Sequence, residues 1–323
     1  MRLTRKVREI LSRYESDTPG SKANLARILM NGRLGGSGKV LILPVDQGFE
    51  HGPARSFAAN PPAYDPHYHF QLAIDAGLNA FATPLGMVEA GADTFAGQIP
   101  IILKANSANS LYSDSKAPDQ AVTASVRDAL RLGCAAIGFT IYPGSGAAHD
   151  MIEEIRELAA EAKAHGLAVV VWSYPRGGTL SKDGETAIDI VAYGAQMACL
   201  VGAHVVKVKL PSDHLEQAAA AEVYEAEGID ISSPAARVRH IMQAAFNGRR
   251  IVVFSGGAKK GAGSLFDDAR AIRDGGGNGS IIGRNSFQRP RDEAIEMLRT
   301  LIRIYQGKET SSQARPRPVA AST

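Results

Sequence analysis

A closed (β/α)8 barrel is the fold this chain predicts, on three observations. Eight short apolar runs recur along the 323 residues. Segments with helical periodicity separate them. The runs are continuously apolar rather than alternating, as parallel strands buried on both faces require. An open doubly wound sheet is the alternative, and a count of eight favours the closed barrel.

Residues 1–35 predict an N-terminal helical extension: VREILSRY, a turn at Thr18-Pro19-Gly20, then SKANLARILMNG. The barrel then occupies 36–308. Its strands read VLILPVD (40–46), AFATP (80–84), PIILKAN (100–106), AAIGFTIY (135–142), LAVVVWSYP (167–175), HVVKVKLP (204–211), RIVVFSGG (250–257) and SIIGRN (280–285). Among the helices, HDMIEEIRELAAEAKAHG places Ile152, Ile155, Leu158, Ala159 and Ala162 on one face and stops at Gly166. SSPAARVRHIMQAAFNG opens with Ser233 as its cap and Pro234 at the first helical position. PRDEAIEMLRTLIRIYQG is amphipathic and closes the barrel. Residues 309–323 are polar and proline-bearing, and predict a disordered tail.

Composition excludes several functions. Hydrophobic residues make up 45% and charged residues 21%, within the range of a globular protein. The net charge of +3 is small and its cations are scattered, so no nucleic-acid partner is expected. No run approaches the roughly 18 apolar residues of a membrane span, and the N-terminus carries no apolar leader. Cys134 and Cys199 each lie in an apolar segment, which suits a reducing compartment; a cytoplasmic location is expected.

Barrels of this kind place chemistry at the C-terminal ends of their strands. Those ends hold Asp46-Gln47-Gly48, Lys104 and Asn106, Trp172 to Gly177, Lys207 and Lys209, Ser255-Gly256-Gly257, and Gly283-Arg284-Asn285. The sixth run is unusual in carrying two ammonium groups. Side chains alternate along a strand, so Lys207 and Lys209 share one face and Val206 and Val208 the other. The outward face packs under helices, so the lysines point into the barrel. A buried ammonium either finds a carboxylate, for instance Asp46, or loses its proton and becomes a nucleophile toward carbonyls. Both readings stay open on the strand alone. Glycine-rich turns after strands seven and eight, with Arg284 beside them, suit a phosphate group.

Other patterns carry less. GSGAAH (144–149) lacks the last glycine or alanine of a dinucleotide fingerprint, and GGAKKGAGS lacks the GK[ST] of a nucleotide loop. His67 and His69 are spaced like metal ligands, but PPAYDPHYH reads as a solvated loop, and no metal is expected.

ILPVDQGFEHGP (42–53), WSYPRG (172–177), GAHVVKVK (202–209), SGGAKKG (255–261) and IIGRNSFQR (281–289) together resemble the archaeal-type, or DhnA-type, class I fructose-1,6-bisphosphate aldolases, in their order and spacing. GRLGGSGKVLILPVDQG and SFAANPPAYDP look most like the bacterial branch. The resemblance implies a metal-free, cofactor-free aldehyde-lyase that works through a Schiff base on Lys207. It further implies Tyr174 as acid/base and Asp46 as the acidic partner; Lys209, a second cation nearby, is expected to keep Lys207 neutral by charge repulsion. Trp172, Arg176, Ser255, Gly256, Gly257, Gly283 and Arg284 would bind substrate and phosphate. The family suggests a homo-oligomer acting on sugar phosphates. A Schiff-base aldolase or transferase for another phosphorylated sugar, or a non-catalytic phosphosugar-binding protein, is the alternative. His204 stands where relatives more often have Asp, at the strand start and away from the chemistry.

Overall fold

The computed structural model describes residues 2–111, 114, 116–256 and 261–309. Eight parallel strands close on themselves: β1 Val40–Pro44, β2 Ala80–Pro84, β3 Ile101–Lys104, β4 Ala136–Ile141, β5 Ala168–Ser173, β6 Val205–Lys209, β7 Ile251–Ser255 and β8 Gly279–Ile281. Each pairs with its neighbours in sequence, and β1 pairs with both β2 and β8. Closure depends on one glycine. Gly279 has φ +137°, and a Cβ there would stand 1.9 Å from the Val40 carbonyl oxygen, so the seam admits no side chain.

The strands alternate as the sequence requires. Leu41, Leu43, Val206, Val208 and Phe254 belong to the outer core, packed under the helices. Val40, Ile42, Val170, Val205 and Val253 belong to an inner core. The N-terminal helices α1 (Arg5–Ser12) and α2 (Pro19–Met30) join that inner core through Val7, Ile10, Leu25 and Leu29. They therefore plug the end of the barrel where the strands begin. Each such buried aliphatic side chain contributes roughly 1.5–3 kcal/mol. Thr18 caps α2 by accepting the Ser21 N–H, and Pro19 takes the first turn, where no backbone donor is lost.

His204 belongs to this plug. Its Nδ1 accepts the Val169 N–H at 2.8 Å, and its Nε2 lies 2.9 Å from Asp17. Tyr14 donates its hydroxyl to the His204 carbonyl at 2.6 Å. His204 thus ties the N-terminal segment to the barrel floor, at the end where the strands begin.

Two sequence readings need correction. The third run does not continue as one strand through Asn106. β3 stops at Lys104, and Asn106–Ser107 pairs antiparallel with Ala121–Val122. The Asn106 amide takes over the missing strand contacts by accepting the Thr140 N–H and donating to the Thr140 carbonyl. PPAYDPHYH is not a solvated loop either. Pro66–Ala76 is a helix capped by Asp65, and His69 is fully buried with Nε2 bonded to the Ala63 carbonyl. Prolines in the first helical turn look like loop residues in sequence but start the helix.

Gly138 of β4 makes room for the largest lumen side chain. A Cβ there would sit 2.0 Å from Cζ3 of Trp172. Gly138→Ala is expected to destabilise the protein by about 1–3 kcal/mol or more, read from the urea midpoint, because a fully buried indole cannot give way without displacing its neighbours. An unchanged midpoint would mean that the indole moves freely.

Candidate active site

The inward rows of the last strand turns converge at the mouth of the barrel. Register sets Trp172, Lys207 and Val253 side by side across β5, β6 and β7. One step further out, Lys209 stands beside Ser255, which pairs with Ile281. Above them opens a cavity of about 600 Å³ lined by Asp46, Glu50, Tyr174, Lys207, Ser255 and Arg284, among others. Lys207 is only 6% exposed and forms its floor. Its Nζ lies 4.7 Å from the Tyr174 ring centroid and 5.9 Å from that of Trp172.

Among the described residues, no carboxylate pairs directly with Lys207; Asp46 and Glu50 act on it through charge at longer range. Of the two readings left open by the strand, the geometry therefore favours a lysine close to neutrality. Burial pulls its pKa down to about 8. Asp46 and Glu50 oppose that fall, while Lys104 and Arg284 add to it. Lys209 does not supply the repulsion expected of it. Its Nζ is 2.7 Å from Glu185, so its charge is compensated locally. The cation that presses on Lys207 from within the lumen is Lys104, which is 1% exposed and lies 5.8 Å from the centroid of the same indole.

The remaining expected residues divide by position. Asp46 lies two residues beyond β1, at the start of the helix Gln47–His51, and accepts a bond from Gln47 Nε2 at 2.6 Å. Tyr174 follows β5, and its backbone N–H extends the ladder to the Ile141 carbonyl. Burial, then Asp46 and Glu50, hold its phenol well above the ordinary range, so it stays protonated. Ser255, Gly256, Gly283 and Arg284 line the same cavity, as does Arg176, whose guanidinium stacks on Tyr142 at 4.6 Å. Gly257 lies outside the described residues. Trp172 does not face the cavity. It is fully buried, its ring faces the amines of Lys104 and Lys207, and its Nε1 has no hydrogen-bond partner among the described residues.

The sequence places Lys104 at a strand end without a role and does not single out Glu50. Strand parity identifies the first: Ile101 and Leu103 belong to the outer core, so Lys104 must point inward. Glu50 comes from the short helix Gln47–His51 that follows β1, where no strand parity applies. Burial and the Asp46 charge push its carboxyl up to about 7, against the pull of Lys104, Lys207 and Arg176.

A buried amine near neutrality, a protonated phenol beside it and a glycine–arginine cradle define a site for imine chemistry on a phosphorylated carbonyl compound. Residues 40–289 match the DeoC/LacD family aldolases, and the chain belongs to that family. More particularly, it is 36% identical over 274 residues to the class 1 fructose-bisphosphate aldolase of Thermoproteus tenax, spanning 84% of this chain and 92% of that one. The class 1 enzyme of Halobacterium salinarum is 34% identical over 260 residues, covering 80% and 88%. The structure of a Schiff-base-forming fructose-1,6-bisphosphate aldolase superposes with a TM-score of 0.72 at 32% identity, covering 87% of this chain and 99% of that one.

Proposed function

We infer that the chain is a class I fructose-1,6-bisphosphate aldolase, an aldehyde-lyase that reversibly forms dihydroxyacetone phosphate and glyceraldehyde 3-phosphate. The observation that carries this reading is Lys207: a buried amine with a pKa near 8, at the floor of an open polar cavity. The names of the relatives, at 34–36% identity over most of both chains, support the substrate.

The neutral amine of Lys207 attacks the C2 ketone, and Asp46 passes protons at the carbinolamine until water leaves. The resulting iminium draws the electrons of the C3–C4 bond as the C4 hydroxyl loses its proton to Asp46. Glyceraldehyde 3-phosphate departs and an enamine remains. Tyr174 protonates the enamine at C3, and hydrolysis frees dihydroxyacetone phosphate and Lys207. Ser255, Gly256, Gly283 and Arg284 hold the ketone-side phosphate and so fix C2 beside the amine. Arg176, which lines the same cavity, is the candidate for the other phosphate. The iminium itself serves as the electron sink.

No helix among the described residues is long and apolar enough to cross a membrane. Two free, buried cysteines suit a cytoplasmic protein. Exposed Tyr193 and Leu200 on the helix Ile188–Leu200 give a homo-oligomer an apolar contact.

Borohydride reduction in the presence of dihydroxyacetone phosphate tests the reading. A stable adduct located on Lys207 by peptide mass spectrometry is expected. An adduct on Lys209 would keep the class and move the nucleophile. No adduct, in a protein that still binds the ligand, would overturn the Schiff-base assignment.

A further inference from the structure

A second cavity, of about 610 Å³, lies at the opposite end of the barrel, where the strands begin. It opens between helix α1, the approaches to β1, β7 and β8, and the helix Pro234–Ala244 that precedes β7. It shares no lining residue with the catalytic cavity. We propose that this cavity binds a small anion with two or more phosphate groups, held by Lys6, Arg13, Lys39 and Arg239. The inference does not depend on the aldolase reading.

One sign of charge dominates this cavity. Those four cations line it, and no carboxylate does. The catalytic cavity, by contrast, mixes Asp46, Glu50 and Glu185 with its lysines and arginines. A cleft lined by one sign focuses its field on a ligand of the other. The counter-charge nearby is already shared. Glu9 serves both Lys6, at 3.1 Å, and Arg13, at 2.7 Å. Asp274 pairs with Arg273 at 2.8 Å and reaches Lys39 only through charge at longer range. Asp230 feels Arg239 in the same way. Lys39 is the cation most in need of a partner. Its partly buried amine has the Gly277 carbonyl, at 2.5 Å, as its one acceptor among the described residues. Burial, Lys6 and Arg273 all hold its pKa below the ordinary value. An anion in the cavity would offset that repulsion.

The walls hold these cations in place. Arg13 Nη1 donates to the Gly248 carbonyl at 2.5 Å. A turn of three successive left-handed residues positions that carbonyl: Phe246, Asn247 and Gly248, with φ of +56°, +52° and +75°. Phe246 and Asn247 are the only non-glycine residues with positive φ among the described ones, and such backbone is costly for a bulky side chain. The same turn sets Asn247 on the cavity wall. Arginine forks and lysine point charges both suit phosphate oxygens. Here they come from three places: α1, the approach to β1 and a barrel helix. One phosphate group does not span a cavity of that size, so the ligand carries at least two. Bound there, it would bridge the N-terminal plug to the seam where β1 meets β8 and stabilise the fold by mass action.

Titration calorimetry of the full chain with pyrophosphate, at low ionic strength, tests the proposal. The double variant Lys39→Met/Arg239→Gln is expected to bind one pyrophosphate fewer per chain than wild type. Arg284→Met, which removes the cation of the catalytic cradle, should retain that one. Arg239→Gln alone should weaken the site about tenfold or more. Arg239 is exposed on its helix, so this change leaves the fold intact. Inorganic phosphate should bind at least about tenfold more weakly than pyrophosphate, and both should weaken as salt is raised. Wild-type stoichiometry in the double variant, or loss of all binding in Arg284→Met, would overturn the proposal. Equal affinity for inorganic phosphate would do the same. So would a change of assembly size in the double variant with no pyrophosphate bound outside the catalytic cavity, which would assign the cations to carboxylates of a second copy.

Discussion

Lys207→Ala is expected to lower the cleavage rate by about 10⁴-fold or more while leaving fructose 1,6-bisphosphate bound. The amine is the only group that the proposed mechanism asks to form a covalent bond. The cradle of Ser255, Gly256, Gly283 and Arg284 is untouched by the change and keeps its hold on the phosphate. In the wild-type enzyme the same amine sets the pH dependence of imine formation. With its pKa near 8, roughly a tenth of the lysine is neutral at pH 7. Imine formation should rise about tenfold per pH unit below 8 and level off above it. A flat profile across this range, or a Lys207→Ala enzyme of near wild-type activity, would remove Lys207 from the mechanism.

The same group leaves a signature in stability. Its folded pKa, about 8, lies below its ordinary value of 10.5. Between those values the unfolded chain binds more protons, so the contribution of Lys207 to stability rises with pH across that window. Below pH 8 the full penalty of the buried charge is present. Lys207→Ala removes it. Any stability the variant gains over wild type should be greatest below pH 8 and shrink toward pH 10.5. The penalty tolerated at this position is the one that a catalytic amine requires.

The parts of this site that alternate along strands were legible in the sequence. Val206 and Val208 outward imply Lys207 and Lys209 inward, and the same parity leads from Trp172 to Tyr174. What the two lysines do differs because of residues brought in by other segments. Lys209 meets Glu185, which comes from the short turn Gly184–Thr186 after β5, with no sequence period linking the two. Lys207 meets Lys104, three strands away around the barrel, whose lone charge in IILKAN lacks the doubling that marked the sixth strand. The burial of Trp172 beneath the site was hidden for a similar reason. Its depth is set by Gly138 on the neighbouring strand, which leaves the space that the indole fills. Contacts between elements, rather than pattern along one strand, decide these three assignments.

Tyr174→Phe is expected to uncouple the two halves of the reaction. Its phenol is held protonated by burial and by the carboxylates of Asp46 and Glu50, and it shares a hydrogen bond with Ser255. In the proposed mechanism it donates to the enamine carbon, and the phenolate left behind takes the C3 proton back in the reverse direction. Without it, Lys207 still forms the imine and the C3–C4 bond still breaks, but the enamine waits for a proton from water. Steady-state turnover should fall about 10²- to 10⁴-fold. The first turnover should survive as a burst of one glyceraldehyde 3-phosphate per site, followed by a stall. Exchange of the C3 proton of dihydroxyacetone phosphate should be lost. Loss of the burst together with turnover would show that Tyr174 acts before cleavage. Retained exchange would show that another group protonates C3. Because Tyr174 follows Trp172 on the inward side and lies 4.7 Å from Lys207 across its ring, the phenylalanine ring should keep that packing, so a change in rate reports on the hydroxyl.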